Sequence, residues 1–210
     1  MSFDHGPDLR SRIAGHLARF PALPIADEAL KKAAVAIVVG PGSDDGEACT
    51  LLTLRPRTIK RHSSQFALPG GRLDAGETST AAALRELREE LGLSLSPDSV
   101  LGSLDDYPTR SGFRITPVVA WCDTDMALTP DPAEVDTVYH IPLRELDSPD
   151  IPILSPPAEG DRPVLSMLLP ALAREMFEPT AAILFQFREV ALRGMNTRVA
   201  QYDQPAFAWR

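Results

Sequence analysis

Fourteen consecutive residues, Thr78 to Leu91, contain neither glycine nor proline and are rich in strong helix formers, and Gly92 follows as a stop. This helix constrains the rest of the chain because extended-looking runs lie on both sides of it. Before it, "AAVAIVV" (33–39) and "CTLLTLR" (49–55) flank the turn-rich "GPGSDDGEA" and read as two strands joined by a hairpin-like loop. After it, "VLGSLDDY" (100–107), "RITPVVAWC" (114–122) and "VDTVYHI" (135–141) alternate or run apolar like strands, punctuated by glycine and proline. Strands before, around and after a central helix predict an α/β fold with a mixed central sheet and helices on both faces.

At 210 residues the chain suits one substantial core. Residues 1–30 are expected to form an N-terminal helical arm, with Leu9, Ile13, Leu17 and Phe20 at helix-like spacing before "PALP" breaks it. Residues 31–210 are expected to form a single domain. Within it, the proline-rich segment 147–163 reads as a surface loop, followed by C-terminal helices in "VLSMLLPALAREMF" (164–177) and "TAAILFQFREVALRGM" (180–195). The longest unbroken apolar run, Ala33 to Val39, is far short of the roughly 20 residues of a membrane span, so a cytoplasmic protein with no membrane partner is expected. Cys49 and Cys122 sit in apolar stretches and read as buried reduced thiols. The net charge of −8 argues against a protein that clamps a nucleic-acid backbone. The sequence leaves the oligomeric state open, a homodimer included.

At about 100° per residue, Leu84, Leu87 and Leu91 fall on one stripe of the helix, and Glu86, Glu89 and Glu90 share an arc of roughly 100° away from it. Three ionised carboxylates so close raise one another's pKa, and a hard divalent cation reverses that penalty. Mg²⁺ or Mn²⁺ suits such ligands. The competing reading is a solvated helix face with Arg85 and Arg88 as intrahelical partners.

The spacing decides between them. Gly71, five residues, Glu77, seven residues, Arg85-Glu86-Leu87, one residue, Glu89-Glu90, one residue and Gly92-Leu93 match the Nudix box at all nine fixed positions. The chain therefore resembles the Nudix hydrolases, sharply over the box and in strand order over residues 33–145. The resemblance implies an α/β/α sandwich that binds Mg²⁺ or Mn²⁺ and hydrolyses a nucleoside diphosphate linked to another moiety. It implies that Glu86, Glu89 and Glu90 are metal ligands or general base, and that the Gly70 carbonyl is a further ligand. Glu77 and Arg85 are implied to form a structural salt bridge, with Gly71 and Gly92 also structural. The glycine pair 70–71 is expected to supply unusual dihedrals. Glu134 in "DPAEVD" resembles the acid that many of these enzymes recruit from a later loop; Asp131 and Asp136 are poorer candidates.

A basic patch precedes the acidic box. Between Glu47 and Asp74 there is no acidic residue, while Arg55, Arg57, Lys60, Arg61 and Arg72 fall there beside His62. The stretch "LLTLRPRTIKRHSSQFALPGG" (51–71) is similar to the pattern LLTxRSxxLRxHxGQVxFPGG of the coenzyme A pyrophosphatase branch. Leu51, Leu52, Thr53, Arg55, His62, Gln65, Pro69, Gly70 and Gly71 agree; Pro56, Ile59, Ser64 and Leu68 depart. "TRSGFRITPVVA" (109–120) also resembles a segment of that branch. This resemblance implies cleavage of coenzyme A or an acyl-coenzyme A to 3′,5′-ADP and (acyl-)4′-phosphopantetheine. Arg55, Arg57, Lys60, Arg61, His62 and Gln65 are the expected substrate contacts, because cations beside the box suit the additional 3′-phosphate. The alternatives are another small nucleotide (ADP-ribose, a dinucleoside polyphosphate or an oxidised nucleoside triphosphate) or a non-catalytic sensor. A sensor would be expected to have damaged carboxylates, and all of them are present here.

Overall fold

A computed structural model describes residues 2–42, 46–56, 65–157 and 161–202. Helix α1 (Pro7–Arg19) precedes the long strand β1 (Lys31–Pro41) and β2 (Ala48–Leu54). Two short strands, β3 (Phe66–Ala67) and β4 (Gly70–Arg72), lead to α2 (Ser79–Leu91). Then come β5 (Val100–Ser103), β6 (Tyr107–Pro108), β7 (Phe113–Trp121), β8 (Thr137–Pro142) and the one-turn helix α3 (Leu143–Leu146). The chain continues through β9 (Ile153–Ser155), β10 (Val164–Met167), β11 (Met176–Phe177) and α4 (Thr180–Phe187), which runs into a π turn at Arg188–Leu192.

β1 is the spine of a mixed sheet. It lies parallel to β7 from Lys31↔Phe113 to Val39↔Trp121. Its other edge is divided: β2 pairs antiparallel at Val39–Pro41, and β4 pairs antiparallel at Ala33–Val35. β2 is likewise held by β8 along one edge and by β1 and then β3 along the other. β1 and β2 thus splay apart, and β3 and β4 fill the gap.

Strand alternation gives the sheet two apolar faces. Ala34, Ala36 and Val38 of β1 pack with Val118 against Ala82, Ala83, Leu87 and Leu91 of α2. Ile37 and Val39 face the other way, into a larger core with Leu9, Ile13 and Leu17 of α1 and the buried face of α4. The chain is therefore an α/β/α sandwich, as the strand–helix pattern predicts. The stripe on α2 is rotated from expectation: Ala83 is buried and Leu84 only half-buried, so small alanines meet the tight sheet surface. Both thiols are free and buried, and burial, with Cys122 close by, pushes Cys49 up to about 12.

The segment 164–177 departs from expectation: it forms β10 and β11, not a helix. Pro170 would stand inside such a helix, where the missing N–H and the ring clash cost about 3 kcal/mol or more. β9, inside the proline-rich stretch expected to be loop, pairs with β10, which pairs with β11. The second expected helix is present as α4 and its π turn. The turn meets α1, where a His16 ring nitrogen bonds the Ala191 carbonyl at 2.9 Å.

Ile13 of α1 is fully buried, so Ile13→Ala is expected to cost about 2–5 kcal/mol, as a core truncation does, against about 0.5 kcal/mol for a surface change. Urea unfolding of the two proteins measures the difference.

Candidate active site

The site starts at the gap between β1 and β2. β4 carries Gly70 and Gly71 through it with no room for side chains. A Cβ on Gly70 would lie 2.3 Å from the Ala34 carbonyl oxygen, and one on Gly71 would lie 2.4 Å from Glu86 Oε1. Neither glycine has a positive φ. Close approach of backbone and carboxylate requires them, rather than the unusual dihedrals expected from sequence.

From β4 the chain turns into α2, which Thr78 caps by accepting a hydrogen bond from the Ala81 N–H. Gly92 ends the helix with φ 70°. The turn is closed by Arg85. Its Nε and Nη2 donate to the two Glu77 oxygens at 3.0 and 3.1 Å, and Nη2 also donates to the Arg72 carbonyl at 3.0 Å. Glu77 accepts a further bond from the Asp74 N–H. These bonds hold Glu77 below the usual carboxylate range, the Arg85 bond contributing most, and raise Arg85.

The three helix glutamates differ sharply in environment. Glu90 lies about 60° from Leu87 around the helix, within the face that meets the sheet. It is only 4% exposed. Glu86 is half-buried and Glu89 exposed, and both accept from Arg85 Nη1, at 2.8 and 3.0 Å. The arc expected to face one groove thus runs from core to solvent. Among the described residues no three His, Cys, Asp or Glu side chains stand close enough together to hold an ion. Arg85 bridges two of the expected ligands instead.

Burial pushes Glu90 up to about 8, with Glu134 and Glu86 adding to the rise while Arg55 and a hydrogen bond from the Gly70 backbone oppose it. Glu134 is brought there by the loop after residue 128, whose Thr129 and Asp131 N–H groups bond the Leu91 and Glu90 carbonyls at 2.8 and 2.9 Å. The donor types suit a hard divalent cation, being carboxylate oxygens with one of them buried beside other acids, while Glu86 and Glu89 are turned to Arg85 in this arrangement.

Beside these groups a cavity of about 390 Å³ opens over Ala33, Val35, Gly70 and Gly71. Arg55 and Gln65, two expected substrate contacts, line it, and so does Leu68, which departs from the branch pattern. Arg57, Lys60, Arg61 and His62 lie outside the described residues. Sequence reasoning missed the rest of the wall: Thr109 and Ser111 from the loop before β7, Phe113 at the start of β7, and residues 174–180 with Ile183 from the chain's later part. The wall is anchored by Thr180 Oγ1 donating to the Phe66 carbonyl and by the Leu165 N–H donating to Glu178. No motif marks these positions; "TRSGF" was noted only as a resemblance.

The NUDIX domain model matches residues 30–162, and the chain belongs to that family. It is 30% identical over 148 residues to Nudix hydrolase 3 of Caenorhabditis elegans, covering 67% of this chain and 62% of that protein. It is 38% identical over 96 residues to the uncharacterized Nudix hydrolase NudL of Photorhabdus laumondii, covering 45% of this chain and 51% of that one. The chain thus spans about half to three-fifths of the length of these curated relatives. A MutT/nudix family protein from Enterococcus faecalis superposes with a TM-score of 0.49 at 17% identity, over 79% of this chain and 64% of that one.

Two outcomes follow from the geometry. Glu90 holds its proton in the fold up to about pH 8 but in the unfolded chain only to about 4.5, so the metal-free fold binds more protons between those values. Its stability therefore falls as pH rises through that window, by a few kcal/mol at most at about 1.4 kcal/mol per pH unit. Glu90→Gln flattens the slope in thermal melts with chelator. Arg85→Ala frees the 72–77 turn, seen as a lower melting temperature and faster proteolysis there.

Proposed function

We propose that this chain is a metal-dependent pyrophosphohydrolase that cleaves a nucleoside diphosphate derivative, with coenzyme A or an acyl-coenzyme A as its substrate. The observation that carries the reading is the buried Glu90 carboxyl, flanked by Glu86 and Glu134 and hydrogen-bonded by the backbone of Gly70, a residue that also lines a ligand-sized cavity. Glu86, Glu89 and Glu90, with the Gly70 carbonyl, would hold Mg²⁺ or Mn²⁺, Glu86 and Glu89 exchanging Arg85 for the ion. Such an ion neutralises charge on the diphosphate and lowers the pKa of an attacking water.

The chain's own residues do the rest. Glu134, exposed at the site, takes the proton as the water oxygen attacks phosphorus and the bridging P–O bond breaks, with Glu86 and Glu89 as the other carboxylates in reach. Arg55 lines the cavity, its charge acts on Glu90, and its buried Nε has no hydrogen-bond partner among the described residues, so it is available to a phosphate. Arg85 and Glu77 fix the turn and do not touch the reacting atoms. The choice of coenzyme A rests on the 51–71 pattern, and the cavity's apolar wall of Phe66, Met176, Phe177 and Ile183 suits the pantetheine arm better than a second sugar.

A substrate panel read by mass spectrometry tests this. Coenzyme A with Mg²⁺ is expected to give 3′,5′-ADP and 4′-phosphopantetheine, chelator to stop turnover, and Glu90→Gln to lower kcat by a factor of about 10² or more. Cleavage of ADP-ribose or a dinucleoside polyphosphate with coenzyme A inert would leave only the wider hydrolase reading. Full turnover in excess EDTA would remove that as well.

A further inference from the structure

The sheet pairing puts two cations at the outer end of the cavity floor. Lys31 stands opposite Phe113, and Arg72 opposite Ala33. Paired residues share a face, and alternation along β1 makes that face the one carrying Ala33 and Val35. Those two residues, with Phe113 and Gly70, form the floor of the cavity.

Both cations converge on one ring: Lys31 Nζ is 5.8 Å and Arg72 Cζ 5.1 Å from the Phe113 centroid. Neither makes an ion pair among the described residues. Two acids share a depression beside them: Glu77 is held by both of its oxygens on Arg85, and exposed Asp74 lies 3.9 Å from the same guanidinium. Lys32 joins Lys31 and Arg72, with Asp74 and Glu77, around that open depression. In a chain of net charge −8, this leaves two like charges directed at one aromatic ring, neither of them ion-paired among the described residues. An anion from outside removes that repulsion, and the ring limits how far the two side chains wander before it arrives.

We infer that Lys31 and Arg72, gathered on Phe113, form a subsite for a phosphomonoester that the substrate carries in addition to its diphosphate. The inference rests on the diphosphate site proposed above, and it places the recognition of that extra phosphate on the described strands β1 and β4. A ligand whose diphosphate meets Gly70 and Glu90 extends along the cavity floor, over Phe113, to these two cations. Compounds lacking the extra phosphate leave the repulsion in place and bind more weakly.

The test uses ligands that cannot be cleaved at a pyrophosphate bond, so it does not depend on turnover. Binding of 3′,5′-ADP and of 5′-AMP to the full chain with Mg²⁺ is measured by calorimetry at low and at physiological salt. The parent protein is expected to prefer 3′,5′-ADP by about tenfold to a hundredfold, as one charge-assisted phosphate contact allows, and to lose part of that preference as salt rises. Arg72→Gln and Lys31→Gln, both at exposed positions, are each expected to cut the ratio, and the double variant to bring it near one. Equal binding of the two nucleotides by the parent, binding of neither, or a preference that survives in the double variant would overturn the subsite. A preference lost in the double variant while coenzyme A, ADP-ribose and dinucleoside polyphosphates all stay intact with the parent would sustain the subsite and sink the hydrolase reading.

Discussion

The site depends on the guanidinium of Arg85. One planar group donates to Glu77, to the Arg72 carbonyl, to Glu86 and to Glu89, and so ties the end of β4, the turn after it and two levels of α2 together. A lysine offers a single ammonium and lacks the fork that meets both Glu77 oxygens. The helix caps fix where α2 begins and ends, and this arginine fixes the turn against it. The spacing of seven residues between Glu77 and Arg85 is what this contact needs: the chain leaves the turn, passes the Thr78 cap and completes almost two helical turns before the arginine points back.

The second constraint is the divergence of β1 and β2. Because β2 leaves β1 after three residue pairs, the backbone of β4 takes its place along Ala33–Val35. Only glycine fits at residue 70, where the sheet backbone lies within 2.3 Å of the absent Cβ, and a Cβ at residue 71 would displace the Glu86 carboxylate, 2.4 Å away. The same divergence leaves the space that the later chain walls off. The carboxylates and the cavity are therefore two results of one irregularity in the sheet, and Gly70 and Gly71 touch both.

Much of this was legible in the residues. The strands 33–39 and 49–55, the helix from residue 78 to 91 and the box spacing were all readable, because each is a local pattern whose period or turn chemistry announces it. The unequal burial of the three glutamates was not, since a helical wheel gives angles but not which angle the sheet will cover. Ala82 and Ala83 were the available clue, two small residues where a helix can approach a strand closely. The 164–177 segment was misread because its apolar content outweighed Pro170. The cavity wall was beyond sequence reasoning for a different reason: Phe66 and Thr180 meet across 114 positions of chain, and no local pattern encodes that meeting.

The acids and the glycines lie between residues 70 and 134, whereas the opposite wall comes from 174–183, beyond the stretch that matches the family. That wall has its own supports, a threonine on the Phe66 carbonyl and a glutamate on the Leu165 amide, neither of which involves the box. Substitutions at Arg174, Met176 or Phe177 can therefore reshape what the cavity admits while the carboxylate geometry stays as it is. Chemistry and selectivity thus sit on separate stretches of one chain, joined only where the cavity brings them face to face.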